Sequence, residues 1–208
     1  MFDNPIRGRF NAWFLAECDG YMHRKYFELK THLLTNVPPV IVELGPGTGA
    51  NLRYMPAGTR LIAIEPNRRM HDTLRRRAEQ RGIDLDLREV DGEALDLASS
   101  SVDFVFASLV LCTVAKPEIV VAEVLRVLRP GGRFACIEHV AAPIDSPVRS
   151  LQNVLARPWR WLFEGCELCR DTGSTLKQAG FSHVDVQPIV ASTIFLPLRH
   201  QMAGVCVK

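Results

Sequence analysis

The sequence predicts an α/β fold, in which a mostly parallel sheet of seven strands is covered by helices on both faces. Three observations predict it. Apolar runs of strand length alternate with helical patterns along the chain, as in sheets whose parallel strands are joined by helices. The first run, VIVEL at 40–44, is apolar except for one acid, as in a strand buried on both faces. The last two strand candidates have only a short connection, so we expect them to pair antiparallel.

The elements follow in order from apolar spacing and from helix breakers. Residues 10–35 carry apolar side chains at helical spacings and predict one or two helices, which NVPP ends. A helix that opens near Pro66 places its apolar residues on one stripe, and a helix at 117–128 is stopped by RPGG. The predicted strands are 40–44, 60–65, 84–90, 102–111, 133–138, 183–187 and 202–207, with further short helices at 51–55 and 171–179.

These elements predict a single domain of 208 residues with four segments. Residues 1–36 form an N-terminal helical cap and residues 37–140 a ligand-binding core. Residues 141–170 form an insertion on the substrate side, where we expect irregular, loop-rich structure bearing tryptophans. Residues 171–208 supply a helix and a pair of strands.

The composition excludes several classes of protein. Hydrophobic residues make up 47% of the chain and charged residues 23%, which is typical of a globular protein with a large core. The net charge of +2 is too small to indicate a polyanionic partner, and the arginines between 68 and 81 are interpreted as a solvated helix face. We therefore expect a small-molecule substrate and no nucleic-acid partner.

The cysteines and the apolar runs indicate a cytoplasmic location and no metal. Six scattered cysteines favour reduced thiols over a disulfide framework. Cys166 and Cys169 form a lone CxxC without a second ligand pair at zinc spacing, so no metal site is predicted. No apolar run reaches the roughly 18 residues of a membrane span, and the N-terminal residues lack the apolar core of a signal peptide. A peripheral membrane contact stays open, as does the oligomeric state.

The stretch GPGTGAN after the first strand predicts a ligand-binding turn, because glycines let a ligand approach the backbone closely. A phosphate-binding P-loop requires Lys and Ser or Thr after its last glycine, and Ala50 and Asn51 stand there instead. The dinucleotide pattern is met formally by Gly45, Gly47 and Ala50. Glu65 at the end of the second strand suits the ribose hydroxyls of either a dinucleotide or another nucleoside.

Three features favour a sulfonium nucleoside over a dinucleotide. Glu43, two residues before the first glycine, would attract a cation and repel a pyrophosphate. Asp91 ends the third strand, where its carboxylate can accept a hydrogen bond from an adenine amino group. The chain also leaves no room after seven strands for the separate substrate domain of most dehydrogenases. A nicotinamide dehydrogenase is therefore only a minor alternative.

The motifs VELGPGTGAN, AIEPN, VDGEAL, VDFVFASLVLCTV and EVLRVLRPGGRFACIEHV span residues 40–140. In order and spacing they resemble those of class I S-adenosylmethionine-dependent methyltransferases. The later stretches LVLCTV, EHVAAP and WRWLFEGCELCRDT, followed by AGF, resemble the methyltransferase-like 7 group, whose members include thiol S-methyltransferases. The resemblance implies a Rossmann-like seven-stranded methyltransferase fold, S-adenosyl-L-methionine as cofactor and S-adenosyl-L-homocysteine as product.

The resemblance also implies which residues bind the cofactor. The glycine loop and Glu43 would hold the methionine part, Glu65 the ribose, the end of the third strand the adenine, and the end of the fourth strand the wall near the methyl group. The implied cofactor-binding residues are Glu43, Gly45, Pro46, Gly47, Thr48, Gly49, Asn51, Glu65, Pro66, Asn67, Asp91, Gly92, Glu93, Ser108, Leu109 and Val110.

The acceptor side is predicted from the residues that end strands four and five and from two aromatic segments. His139 is the candidate polar contact or proton acceptor, and Cys112 is expected to pack against the cofactor without acting as a nucleophile. Tyr21, Tyr26, Trp159 and Trp161 would line a pocket for a small lipophilic acceptor, most plausibly a thiol. The other acceptors considered are a phospholipid amine and a quinone-like ring carbon, and the non-catalytic alternative is a cofactor-binding scaffold.

Overall fold

A computed structural model describes residues 5–208, apart from the side chains of residues 5–7, 12, 15 and 16. The first four residues of the predicted cap therefore lie outside the described residues. The helices are α1 (Pro5–Leu33), α2 (Arg68–Gln80), α3 (Pro117–Val127), α4 (Pro147–Leu162) and α5 (Thr172–Gln178). The strands are β1 (Val40–Leu44), β2 (Arg60–Ile64), β3 (Asp84–Arg88), β4 (Val102–Ser108), β5 (Leu128–His139), β6 (His183–Val190) and β7 (His200–Val207).

The seven strands form one sheet in the order β3-β2-β1-β4-β5-β7-β6. Strands β1 to β5 pair in parallel, and β7 runs antiparallel to both of its neighbours. The predicted α/β class, the mostly parallel sheet and its antiparallel C-terminal strand are confirmed. Because β1 and β4 are adjacent although they are not consecutive, their carboxyl ends flank the point where the strand order reverses. Ligands bind at this position in open α/β sheets.

Two apolar layers hold the helices on the sheet. One contains α3 and α5 and includes Val120, Val124 and Leu176. The other contains α1 and α2 and includes Leu33 and Leu74. The stripe predicted on α2 is confirmed, since Met70, Leu74 and Ala78 are all buried. Covering both faces leaves only the strand ends open to a ligand.

The segment between β5 and α5 differs from the prediction. Residues 147–162 form the helix α4 rather than the expected loop-rich structure. The Ser146 side chain caps this helix by accepting a hydrogen bond from the Arg149 N–H, and Pro147 occupies the first turn. Pro158 lies inside the helix near its C-terminal end. The prediction of irregular structure was wrong for these residues, because Pro158 and the two tryptophans obscure the helical pattern of this segment.

Smaller differences concern the ends of elements. The region 10–35 is a single helix in the structure, and the short helix expected at 51–55 is a single 3-10 turn at Leu52–Tyr54. Strand β5 starts five residues before the predicted 133 because it extends directly from the end of α3. None of the described helices is long and apolar enough to cross a membrane.

Candidate functional site

The glycine loop after β1 is shaped by backbone that only glycine adopts at low energy. Gly45 and Gly47 have φ angles of 56° and 59°, in the left-handed region. A Cβ atom at Gly45 would also lie 2.7 Å from Cγ2 of Val110. The loop after β4, which contains Val110, therefore touches the glycine loop, and the two together form one edge of the site.

Glu65 ties the glycine loop to the end of β2. Its carboxylate accepts hydrogen bonds from the Gly47 N–H at 2.9 Å and from the Asn67 N–H at 2.8 Å. The side chain is only 5% exposed, and this burial raises the pKa of Glu65 while the two backbone donors oppose the rise. Asn67 in turn caps α2 by accepting from the Arg69 N–H. A ribose hydroxyl that binds Glu65 would meet a carboxylate already fixed by backbone donors.

Glu43 lies buried beneath the same loop in a small polar cluster. Its Oε1 accepts a hydrogen bond from Nδ2 of Asn51 at 2.6 Å, and Lys30 of α1 is buried within electrostatic range. Burial raises the pKa of Glu43 to about 7, although Asn51 and Lys30 both lower it. Burial also lowers the pKa of Lys30 to about 8, against the attraction of Glu43. This cluster can therefore change its charge near neutral pH.

The end of β3 is more open. Asp91 is exposed, while Gly92 and Glu93 are partly buried. A Cβ atom at Gly92 would come within 3.4 Å of Val120 on α3, so this turn packs closely against the helix. Asp91 is exposed, whereas Glu65 is held by buried backbone donors. The exposed position of Asp91 at the edge of the site suits the adenine end of a nucleoside.

Glu138 organises the loop after β4 from the neighbouring strand β5. Its fully buried carboxylate accepts hydrogen bonds from the N–H groups of Val110 and Leu111, both at 2.9 Å, and of Cys112 at 3.1 Å. Burial raises the pKa of Glu138, and the three backbone donors counteract that rise. Leu109 adopts a φ of 60° at the start of the same loop, a strained angle for a leucine. The loop that lines the site is thus held in one conformation.

Cys112, His139 and Cys166 converge beside this loop. Nε2 of His139 lies 2.9 Å from Sγ of Cys166, and the ligand atoms of the three residues all lie within 4.8 Å of one another. The indole N–H of Trp159 donates to Sγ of Cys166 at 3.2 Å. We call Cys112, His139 and Cys166 the thiol–imidazole cluster. It brings together the two predicted catalytic residues and a cysteine that the sequence analysis set aside.

The two sulfurs of the cluster differ in acidity. A hydrogen bond from the Cys112 thiol lowers the pKa of Cys166 well below its usual range, and the His139 imidazole and the Trp159 N–H lower it further. The same contact raises the pKa of Cys112, as does its burial. Cys166 is therefore the more readily ionised of the two. Among the described residues, Nδ1 of His139 is buried without a hydrogen-bond partner.

The predicted acceptor-side aromatics have different surroundings. Tyr26 is buried and its hydroxyl accepts from Nε2 of Gln201 at 2.7 Å, while the Tyr21 hydroxyl lies 3.1 Å from Oγ1 of Thr193. Trp159 contacts the thiol–imidazole cluster. Trp161 is 64% exposed, because two positions along a helix turn a side chain by more than half a circle. The structure thus brings Trp159 to the site and does not bring Trp161 there.

An aromatic cluster joins α1, α4 and the segment before β7. Phe14 is central to it, with ring centroids 5.5 Å from Phe163 and 5.8 Å from Phe195. Phe10 stacks on Phe14, and Trp159 lies 4.3 Å from Phe163. These rings are only partly buried. They form an apolar wall that begins at the thiol–imidazole cluster and continues to the surface.

For three residues of the site, the sequence did not predict the role that the structure gives them. Cys166 was noticed only as part of a CxxC, and its partners lie 54 and 27 positions earlier in the chain. Glu138 was not assigned to the loop it holds, because the contact bridges two strands. Lys30 had a usable signal, since it stands among apolar residues on the inward side of α1, where it is 5% exposed.

A separate surface depression of about 330 Å³ lies at the opposite edge of the sheet. Val37, Pro130 and Arg133 line it, close to the amino ends of the parallel strands. Ligands of open α/β sheets bind outside the carboxyl ends. The glycine-loop edge therefore remains the candidate active site.

The residues present fit a nucleoside with a cationic side chain. Oε2 of Glu43 and Oδ1 of Asn51 are buried acceptors without a partner among the described residues. An ammonium group could satisfy them by donating hydrogen bonds, and the carboxylate of Glu43 would attract a sulfonium. Because Gly45 and Gly47 have no side chains, the backbone of the glycine loop can approach such a group closely. Glu65 directly follows β2, the strand that pairs with β1, so it lies at the same edge of the sheet as the glycine loop. Strand order, loop and acids together define a class I S-adenosylmethionine-dependent methyltransferase site.

Comparison with known proteins agrees with this class. Residues 42–136 match the family model described as "Methyltransferase domain". The chain is 39% identical to thiol S-methyltransferase TMT1A of Homo sapiens over 171 residues, covering 81% of this chain and 70% of the relative. It is 32% identical to thiol S-methyltransferase TMT1B of Rattus norvegicus over 215 residues, covering 98% and 88%. The chain therefore belongs to the family of S-adenosylmethionine-dependent methyltransferases that includes these proteins, and its cofactor is S-adenosyl-L-methionine.

Solved structures support the fold alone. An S-adenosylmethionine-dependent methyltransferase from Mesorhizobium loti superposes with a TM-score of 0.64 at 19% identity, covering 88% of this chain and 98% of that chain. The [4+2]-cyclase SpnF superposes with a TM-score of 0.69 at 17% identity, covering 87% and 80%. Because one of these proteins is named for a different reaction, the fold does not identify the acceptor.

Proposed function

We propose that the chain transfers a methyl group to the thiol of a small lipophilic acceptor. The observation that carries the proposal is the similarity to a protein named thiol S-methyltransferase over 98% of this chain, including the acceptor-side residues 141–170. A phosphatidylethanolamine N-methyltransferase of Cereibacter sphaeroides is 30% identical over only 56% of the chain. The similarity to the thiol enzymes thus extends beyond the cofactor-binding core.

The cofactor-binding residues divide the nucleoside among three strand ends. Glu43, Asn51 and the glycine loop would hold the methionine part, and Glu65 would hold the ribose hydroxyls. Asp91 at the end of β3 would meet the adenine. When bound, S-adenosylmethionine supplies a methyl group already activated by the positive sulfur. The protein therefore needs mainly to hold the acceptor in line, which can lower a barrier by several kcal/mol, up to about 7–11.

The acceptor side is apolar and leads to the thiol–imidazole cluster. Phe14, Phe163 and Phe195 offer the wall along which a lipophilic acceptor would lie. The ring of Tyr21 contacts Phe195 of this wall, and the buried Tyr26 is the second tyrosine that we assign to the acceptor side. An apolar pocket with a few polar groups at its end is the usual form of a small-molecule site.

His139 is the group that we assign to the reacting thiol. It ends β5, is 2% exposed and keeps one ring nitrogen without a partner among the described residues. A thiol has a pKa near 8.5, so a neutral imidazole can take enough of its protons at neutral pH. The Cys112 thiol is a packing and hydrogen-bonding neighbour, since transfer to an acceptor needs no covalent enzyme intermediate.

The same proposal includes a cytoplasmic location. All six cysteines are free thiols, and such thiols persist where glutathione and thioredoxin keep them reduced. A small thiol is also the partner we expect in that compartment. Measuring the fraction of free thiol in the chain isolated from cells under alkylating conditions tests this part, since a largely oxidised chain contradicts it.

The decisive experiment is a transfer assay with methyl-labelled cofactor. The chain is incubated with apolar thiols, matched alcohols, amines and phenols of the same carbon skeleton, and products are identified by mass spectrometry. We expect methyl thioethers and at least tenfold less product from the matched alcohols. The variant Glu65→Ala serves as a control for the cofactor site. Transfer to an amine or a ring carbon with no transfer to any thiol would refute the proposed acceptor, and saturable binding without any product would indicate a scaffold.

A further inference from the structure

The thiol–imidazole cluster has the composition of a metal site. Its three residues come from the loop after β4, the end of β5 and the turn after α4. Cys112 is 1% exposed, His139 2% and Cys166 8%. Their ligand atoms lie within 4.8 Å of one another. Two thiols and one imidazole that meet around a common point are a set that binds zinc in proteins.

The segments that carry these residues are locked together by backbone contacts. The Glu167 N–H donates to the Cys112 carbonyl at 2.8 Å, beside Cys166. Arg170 donates to the carbonyls of Leu111 and Val114 at 2.7 and 2.6 Å. The Cys112 N–H is held by Glu138. The three ligands are therefore positioned in advance by their own main chains, as an effective metal site requires.

The other buried cysteines of the sheet have no such surroundings. Cys136 and Cys206 lie within the apolar layer that contains α3, where a thiol behaves as a small apolar side chain. Cys166 instead faces an imidazole and receives an N–H from Trp159. Hydrogen bonds from N–H groups to sulfur support metal-bound thiolates from outside the coordination shell. The cluster is thus polar in a way that packing alone does not require.

We propose that Sγ of Cys112, Sγ of Cys166 and Nε2 of His139 bind a zinc ion and leave its fourth position open. We further assign that position to the acceptor thiol, a role that rests on the proposed function. Three protein ligands with one open position are the arrangement of catalytic zinc sites, including sites with two cysteines and one histidine. The 2.9 Å between Nε2 and Sγ of Cys166 would open to about 3.5 Å around a tetrahedral ion.

The metal changes how the acceptor thiol loses its proton. As the bond between sulfur and zinc forms, water leaves the fourth position and the thiol proton passes to solvent. The bound sulfur then uses a lone pair to form the new bond to the methyl carbon. The bond between that carbon and the sulfonium sulfur breaks with its electron pair, leaving S-adenosylhomocysteine. The methylated product is a neutral thioether, which binds zinc more weakly than a thiolate and can leave. With zinc bound, His139 acts as a ligand and no longer as a proton acceptor.

Metal content tests the site independently of methyl transfer. The full chain is produced in zinc-supplemented medium, dialysed against a weak chelator and analysed by inductively coupled plasma mass spectrometry, with affinity measured by competition against a chromophoric chelator. We expect about one zinc per chain. Binding in Cys112→Ser, Cys166→Ser and His139→Ala should weaken by more than the roughly 10–100-fold that the loss of a residue outside the coordination shell costs. The matched control is Cys169→Ser, which alters the neighbouring cysteine whose thiol donates to Asn153. It should retain the metal.

Circular dichroism and urea unfolding identify any variant that has failed to fold, and the affinity comparison uses folded variants only. Should all three variants be unfolded, cobalt titrated into the wild-type chain replaces them, since thiolate ligands give an intense charge-transfer absorption. The proposal is overturned if the folded wild-type chain binds zinc no more tightly than Cys166→Ser, or if cobalt gives no thiolate absorption.

The fourth position is tested with the cobalt-substituted chain in the presence of S-adenosylhomocysteine. Adding an apolar thiol should intensify the charge-transfer band, and the matched alcohol should not. An unchanged band refutes acceptor coordination. Transfer assays separate the two proposals. If the zinc-free chain and Cys166→Ser both methylate thiols as fast as the zinc-loaded chain, the role of zinc is refuted while the proposed function stands. A zinc-loaded chain that methylates no thiol refutes the proposed function while the metal site stands.

Discussion

The substitution Glu138→Gln tests whether one buried carboxylate fixes the loop after β4. Glutamine has nearly the same volume, so packing is unchanged. Its amide oxygen can still accept from the N–H groups of Val110 and Leu111, which now share Oε1. Its amide nitrogen, however, would face the N–H of Cys112, which now donates to Oε2 at 3.1 Å. The Cys112 N–H is left without an acceptor and faces the amide N–H groups that the substitution introduces, so we expect a loss of about 1–3 kcal/mol.

Complete removal of the carboxylate gives the largest loss of stability expected at this position. Glu138→Ala leaves three buried backbone donors unsatisfied, or about 3–9 kcal/mol on the same scale. That range overlaps the roughly 5–15 kcal/mol by which a whole domain is usually stable, so the alanine variant is expected to unfold readily or not fold. Glu138→Gln is therefore the informative change.

Urea unfolding followed by circular dichroism measures the effect. We expect a lower midpoint with an unchanged dependence on urea, and a loss of about 1–3 kcal/mol in the free energy of unfolding. Hydrogen exchange should accelerate at the amides of residues 110–112 more than in β1. The comparison variant is Glu123→Gln, because Glu123 also accepts a backbone N–H, that of Leu95, but is partly exposed and paired with Arg126. It should not accelerate exchange at residues 110–112. A midpoint and exchange rates equal to those of the wild-type chain would refute the role given to Glu138.

Three further predictions concern the cofactor side. Glu65→Ala should weaken binding of S-adenosylhomocysteine by about 1–3 kcal/mol in calorimetry, and an unchanged affinity would remove Glu65 from the site. Because burial raises the pKa of Glu43 to about 7, its ionised fraction grows as the pH rises through 7. The affinity for cationic S-adenosylmethionine should therefore increase between pH 6 and 8, and Glu43→Gln should flatten that increase; parallel profiles would contradict this. Gly45→Ala adds backbone strain and a contact of 2.7 Å with Val110, whereas Gly58→Ala has a similar positive φ and open space. In thermal unfolding Gly45→Ala should lose more stability than Gly58→Ala. Equal losses would exclude a steric contribution from the contact with Val110.

The elements with clear periodicity were predictable from the sequence. VIVEL at 40–44 and the stripe on α2 gave correct elements because burial on two faces or on one face determines their composition directly. The helix at residues 147–162 was not predictable in this way, because Pro158 and the tryptophans obscured its helical pattern. The signal that defined this helix was local: Ser146 followed by a proline is a helix start.

The site was predictable only where its residues are close in sequence. The glycine loop and the acids that end β1 and β2 follow from one turn and two strand ends. The thiol–imidazole cluster could not be predicted in this way, since Cys112, His139 and Cys166 meet only after β4, β5 and α4 have packed. Spacing rules for metal ligands apply to ligands on one or two local turns, and this set comes from three separate segments.

The position of β7 between β5 and β6 constrains how the sheet is completed. In the part of the chain that the structure describes, β6 pairs only with β7, which follows it in the chain. Until β7 has paired with it, both edges of β6 therefore lack a partner strand. His183, Asp185 and Gln187 alternate along it as exposed polar residues, and Pro188 cannot donate a ladder hydrogen bond. These residues hinder pairing with the same strand of another unfolded chain, so the same polar pattern that marks an edge strand also protects the incompletely folded protein from aggregation.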